Sequence, residues 1–137
     1  MGRILAVDDE LDMLALLKTI IEGYSDHQVT TTNNPLEAAE LLEKEQFDLI
    51  LTDLKMPGLD GMELLERAKK HDEDALIMMI TAFGSMESAE EAMAKGAFDY
   101  VTKPFRKEQI LLAIGKALRW REMVRQNKEL KGRLGGE

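Results

Sequence analysis

Short apolar runs alternate along this chain with stretches whose apolar residues recur at helical period, the alternation that builds a layered α/β domain. Arg3 to Val7 is apolar and closed by Asp8-Asp9, which reads as a buried strand. Leu11, Leu14, Leu17 and Ile21 follow at helix spacing, and Gly23 is expected to stop that helix. His27 to Thr32 is rich in Val and Thr and predicts a second strand. Asn34-Pro35-Leu36-Glu37 predicts a helix running to about Gln46, with a capping residue, Pro in first position and Glu in third. Phe47 to Thr52 is a further apolar run, closed by Asp53. A Met-Pro-Gly loop follows it, and Asp60-Gly61-Met62-Glu63 resembles a capping box at the start of a third helix.

Ala75 to Ile80 predicts the fourth strand, closed by Thr81. The fourth helix, about Ser85 to Lys95, is expected to turn Met86, Ala89, Ala92 and Met93 inward. So little apolar content predicts one of the less anchored elements. Ala97 to Thr102 is the last strand, closed by Lys103-Pro104, and a final helix runs from about Arg106 well past Trp120. Near-continuous apolar strands between helices mean a parallel sheet covered on both faces. Right-handed crossovers restrict such a sheet to a few doubly wound orders, with the functional residues at the strand ends.

Composition narrows the class. The length of 137 residues suits one domain, 45% of it apolar. The absence of cysteine excludes disulfides and thiolate-bound metals, and no apolar run reaches the roughly 18 residues of a membrane span. A soluble, cytoplasmic protein without a signal peptide or membrane association is expected. The net charge of −8 is unevenly spread. Residues 1–102 hold eight basic and 22 acidic residues, net −14; residues 103–137 hold ten basic and four acidic, net +6. An acidic body argues against direct contact with nucleic acid, and the basic tail, charged at helical spacing, reads as a solvated helix face.

Candidate chemistry sits at four strand ends: Asp8 and Asp9, Asp53, Thr81 and Lys103. In a parallel sheet these ends share one edge. Carboxylates gathered there repel one another and require a positive partner. A hard divalent ion with oxygen ligands, Mg²⁺, supplies one, and Lys103 supplies another. With the Thr81 hydroxyl, these groups suit a phosphoryl group attacked by a carboxylate. Taken singly, Asp9 reads equally as a helix cap, Thr81 as a β-branched strand residue and Lys103 as a solvated cation. His27 and His71 show no ligand spacing and read as surface residues.

ILAVDDE, LILTDLKMPGLDGMELL, ITAFGS and DYVTKPF, in this order, resemble the receiver domain of two-component response regulators over residues 3 to about 119. TDLKMPGLDGMELL and TAFGSMESAEEAMAKGAFDYVTKPF resemble most the NtrC-type class, which places a receiver before an ATPase that activates sigma-54 RNA polymerase. The resemblance implies a flavodoxin-like sheet of order 2-1-3-4-5 with five helices. It implies that Asp53 accepts a phosphoryl group from a sensor histidine kinase, and that Asp8, Asp9, Asp53 and the backbone carbonyl of Lys55 hold Mg²⁺. Lys103 would pair with the phosphoryl oxygens, aimed by a cis bond before Pro104. Thr81 and Tyr100 would act as the switch, Tyr100 swinging inward. Gly58 and Gly61 would let the loop pass close to the site, and Lys55 and Phe83 would set the phosphoryl lifetime. A regulatory phospho-acceptor is implied, with at most slow self-dephosphorylation.

Trp120, Met123, Asn127, Leu130 and Leu134 are spaced 3, 4, 3, 4, as in a heptad seam, with Trp120 and Asn127 at equivalent positions. We therefore expect a receiver at 1–119 and a helical linker at 120–137. The linker is expected to form a coiled-coil homodimer together with the fourth-helix and fifth-strand face. The alternative for this segment is a solvated, fraying extension. No Walker motif or DNA-binding helix-turn-helix is present, so the ATPase and DNA-binding output would lie outside this chain, which reads as an excised regulatory fragment. Two rivals compete: a stand-alone receiver acting through a protein partner, and a Mg²⁺-dependent phosphatase. The second usually needs an acid/base carboxylate two residues after the nucleophile, where Lys55 stands. A flavin site is disfavoured because Asp8-Asp9-Glu10 would repel its phosphate.

Overall fold

The computed structural model describes residues 2–82 and 86–135. Among these, five strands alternate with five helices: β1 (Arg3–Val7), α1 (Leu11–Tyr24), β2 (Gln28–Thr32), α2 (Pro35–Lys44), β3 (Leu49–Asp53), α3 (Gly61–His71), β4 (Ile77–Ala82), α4 (Met86–Ala94), β5 (Asp99–Lys103) and α5 (Lys107–Gly135). The strands form one parallel sheet in the order β2-β1-β3-β4-β5. This is the flavodoxin-like order expected. Phe83, and the side chains of Met86, Leu130 and Leu134, lie outside the described residues.

Strand side chains alternate between two cores, as a pleat requires. Leu5, Val7, Ile50, Ile77 and Met79 pack under α2 and α3 against Ala38, Leu42, Leu64 and Leu65. Ile4, Ala6, Leu51, Met78 and Ile80 pack on the other face against Leu17 and Ile21 of α1 and Ile110 and Ile114 of α5. Burying aliphatic side chains contributes roughly 1.5–3 kcal/mol each, so both faces of every central strand are held. Local chemistry sets the starts. Asn34 Oδ1 accepts the Leu36 N–H at 3.0 Å and the Glu37 N–H at 3.4 Å, and Asp60 Oδ1 accepts the Glu63 N–H at 2.9 Å.

Three expectations change. Gly23 does not stop α1; the helix continues to Tyr24, and the Ser25 hydroxyl donates to the Ile21 carbonyl at its end. Met93 is 38% exposed, because α4 buries Ala89 and Ala92 and turns its next position outward. His27 is half-buried rather than on the surface: its Nδ1 accepts the Gly2 N–H at 2.9 Å, and burial pulls its pKa down. His71 is exposed, as read.

Candidate functional site

The parallel sheet carries Asp8, Asp53, Thr81 and Lys103 to one edge. Asp8 follows β1, Asp53 closes β3, Thr81 lies next to last in β4 and Lys103 closes β5. Asp53 is in register with Ile80, which sets Thr81 one residue further along. Asp8 and Thr81 are each 1% exposed. Lys103 joins the carboxylates: its Nζ donates to Asp8 Oδ2 at 2.9 Å and to Asp53 Oδ2 at 3.1 Å. The Lys103–Pro104 peptide bond is cis.

The remaining oxygens have backbone partners. Asp53 Oδ1 accepts the Lys55 N–H at 3.3 Å, and Asp8 Oδ1 accepts the Glu10 N–H at 2.8 Å. Beneath Asp53, the Thr52 hydroxyl donates to the Asp53 carbonyl at 3.0 Å. The loop then passes so close that a Cβ on Gly61 would lie 2.3 Å from that carbonyl oxygen. Only glycine lets α3 begin there. Gly58 makes the preceding turn at φ +86°, in the left-handed region that glycine tolerates.

Two carboxylates share one ammonium, and both sides register it. Burial pushes the Asp53 carboxyl above the usual carboxylate range; Lys103 opposes the rise and Asp8 reinforces it. Burial pulls the Lys103 ammonium down, but its bonds to Asp8 and Asp53 leave it above the ordinary lysine value. One cation cannot satisfy both anions, and the site keeps an excess of negative charge.

Asp8, Asp9 and Glu10 each offer a carboxylate oxygen within 4.8 Å of the others. All the donors are hard oxygens, which fits Mg²⁺. Glu10 is not among the ligands that the sequence singles out, although it directly follows the two aspartates. The cap reading of Asp9 fails, since α1 takes Glu10 as its capping residue and receives no side-chain cap. Asp60 caps α3, as its sequence context predicts. Tyr100 is half-buried on β5, packed against the core beneath α2 and α3. Trp120 lies beside Phe98, ring centroids 6.3 Å apart, while Met123 and Asn127 are exposed.

The sequence profile of the family described as "Response regulator receiver domain" matches residues 4–115, from β1 into α5. The chain belongs to the response regulator receiver family. This receiver is 36% identical over 135 residues to "Response regulator protein PilR" of Pseudomonas aeruginosa, covering 98% of the chain and 30% of PilR. It is 37% identical over 118 residues to "Sporulation initiation phosphotransferase F" of Bacillus subtilis, covering 85% of the chain and 93% of that protein. Among solved structures it superposes on NtrX from Brucella abortus with a TM-score of 0.91 at 30% identity, covering 97% of the chain and 30% of NtrX. The receiver therefore spans less than a third of the length of PilR and of NtrX.

Receivers of two-component systems are phospho-acceptors that signal through phosphorylation by histidine kinases, and they generally bind Mg²⁺ at an acidic pocket. Among the described residues, no helix is long and apolar enough to cross a membrane.

Proposed function

We propose that Asp53 is the phospho-acceptor of this receiver. One observation carries the reading: a lysine bridges Asp8 and Asp53 at the ends of parallel strands, with a buried threonine one step beyond. An Asp53 carboxylate oxygen attacks phosphorus on a phosphohistidine of the sensor kinase. The P–N bond breaks with its electron pair returning to the ring nitrogen, and a P–O bond to Asp53 forms. Asp8 and Asp9, with Asp53 and the Lys55 carbonyl, would hold Mg²⁺, and Glu10 lies within reach of the same ion. The ion supplies positive charge against the phosphoryl oxygens.

Lys103 then turns from the bare carboxylates to the phosphoryl group, which adds roughly −1.5 to −2 charge to the site. Thr81 donates to a phosphoryl oxygen, and Tyr100 moves inward behind it. Helix α4, whose buried face includes only small Ala89 and Ala92 among its described side chains, follows that movement. Water finally cleaves the acyl phosphate, which returns the carboxylate and releases phosphate.

The output is proposed from the resemblance to the NtrC-type class: a receiver at 1–119 and a linker at 120–137 that controls a sigma-54-type ATPase and its DNA-binding region beyond this chain. The homodimer would use Trp120, Met123, Asn127, Leu130 and Leu134 together with the α4-β5 face. Exposure of Trp120, at 50%, and Met123, at 57%, supports that use. A cytoplasmic location accords with such an output. A second reading, a stand-alone receiver that passes its phosphoryl group to another protein, is favoured by the coverage of 93% of the sporulation phosphotransferase.

Intact mass with acetyl phosphate and Mg²⁺ tests the acceptor. Wild type gains one phosphoryl group and Asp53→Ala gains none; uptake by Asp53→Ala would refute the assignment. Sedimentation of the same samples separates the outputs, since the dimer reading requires an oligomer and the stand-alone reading a monomer.

A further inference from the structure

The edge where the strands begin, opposite Asp53, is crossed by the continuation of α5. Two clefts flank the crossing. One, of about 590 Å³, is lined by Gly2, His27, Asp48 and Leu118. The other, of about 460 Å³, is lined by Asp74, Leu76, Trp120 and Val124. Arg121 and Arg125 line both, so these two side chains form the wall between them. Here long cationic side chains run from the helix to the body between the two clefts.

The bridges converge on two aspartates. Arg121 Nε donates to Asp48 Oδ1 at 3.1 Å, and its Nη1 donates to the Asp74 carbonyl at 3.3 Å. Arg125 Nη2 reaches the same Asp48 oxygen at 3.3 Å, and Lys128 pairs with the Asp74 carboxylate. Asp48 is itself anchored, because its Oδ2 accepts the Arg3 N–H at 2.8 Å. Asp48 lies in the connection before β3 and Asp74 in the connection before β4. The helix is thus tied at two neighbouring points of the body. These are the basic residues that the sequence reads as a solvated face; the acidic body has turned them towards itself.

We propose that Asp48 and Asp74 form a two-point clasp that holds residues 121–128 of α5 to the receiver and so fixes which side of the helix faces outward. At about 100° per residue, Arg121, Arg125 and Lys128 fall within roughly 60° of one another. Met123 and Asn127 lie about 200° and 240° round from Arg121, on the far side. Each tie alone is a weak device at a surface, but several charges sharing two anchors act as a network. Arginine suits the role because its planar fork can hold a carboxylate and a carbonyl at once, as Arg121 does. That the outward side meets a second copy of the chain rests on the dimer reading above; the clasp itself does not.

The chain has no cysteine, so two introduced ones can carry spin labels without background. Lys70→Cys in α3 and Gln126→Cys in α5 place labels at two exposed positions. Labelled protein diluted into an excess of unlabelled protein reports the distance within one chain. The clasp predicts a single narrow distribution. Asp48→Asn with Asp74→Asn should at least double its width while phosphoryl uptake and the circular dichroism of the domain stay unchanged. Asp74→Lys alone should broaden it, and adding Lys128→Asp should narrow it again. An equally narrow distribution without both carboxylates, or a broad one with both present, would overturn the clasp. Sedimentation read in parallel reports the dimer separately, so the failure of one reading is not mistaken for failure of the other.

Discussion

The two edges of the sheet each hold an aspartate beside cations, and they hold it in opposite ways. At the strand ends, Asp53 and Asp8 divide one ammonium between them, and burial leaves Asp53 above the usual carboxylate range. At the strand starts, burial also works against the Asp48 carboxylate. There the Arg3 N–H and the Arg121 guanidinium outweigh it, Arg125 assists, and Asp48 is held below that range. The residue type and the sheet are the same; the number of donors per carboxylate differs. An anion with too few donors gains from any new positive partner, so it suits a place of change. An anion with donors to spare suits a fixed point.

The comparison can be broken most severely at Gly61. Gly61→Ala drives a methyl group into the Asp53 carbonyl and should destabilise the domain by about 3 kcal/mol, the upper end for overpacking. Chemical denaturation would measure the loss, and phosphoryl uptake should slow with it. Lys103→Met strips the only cation bonded to the Asp53 carboxylate among the described residues. We expect a loss of about 2 kcal/mol in metal-free protein, less than the 3–5 of a fully buried pair because the lysine keeps some contact with water. Mg²⁺ should recover part of it, which thermal denaturation with and without the ion would show.

Arg121→Gln tests the well-supplied edge. Asp48 keeps the Arg3 N–H and Arg125, so the loss should be only about 1 kcal/mol, the two hydrogen bonds of Arg121 at the low end of their net value. Trp120, the single tryptophan of the chain, should report local loosening through red-shifted emission. The smallest effect concerns pH. Because the folded pKa of Asp48 is depressed, its contribution is fully present above the unfolded value of 3.8 and is lost as pH falls through the lower folded value. Trp120 emission should therefore hold steady from neutral pH down to 3.8 and shift only as pH falls further. A shift already complete at pH 5 would contradict the assignment.

Most of the fold was legible because its signals are local. Strands closed by Asp53 and Lys103, a strand that ends one residue past Thr81, and helices opened by Asn34 and Asp60 declare themselves within a few residues. The gathering of the strand-end side chains followed from parallel topology alone. Other features depend on partners far along the chain. Gly23 looks like a helix stop, but the terminus was settled by Ser25. Met93 has inward spacing, yet the sheet beneath α4 is covered by Ala89 and Ala92. His27 acquires its partner from Gly2, and Arg121 and Lys128 acquire theirs from Asp48 and Asp74, 73 and 54 positions away. Glu10 belongs to neither group: its signal lay beside Asp8 and Asp9, and only the turn that gathers the three carboxylates reveals it.

The 29 residues of α5 form one uninterrupted helix, a rod of about 43 Å at 1.5 Å per residue. Arg121 sits near its midpoint, which makes that position a fulcrum. From there the outer half extends about 20 Å. A tilt of about 10° at the fulcrum would move the tip by some 3–4 Å, nearly the distance across which two side chains touch. A rearrangement too small to disturb the core could therefore be felt as a change of neighbour at the far end of the rod.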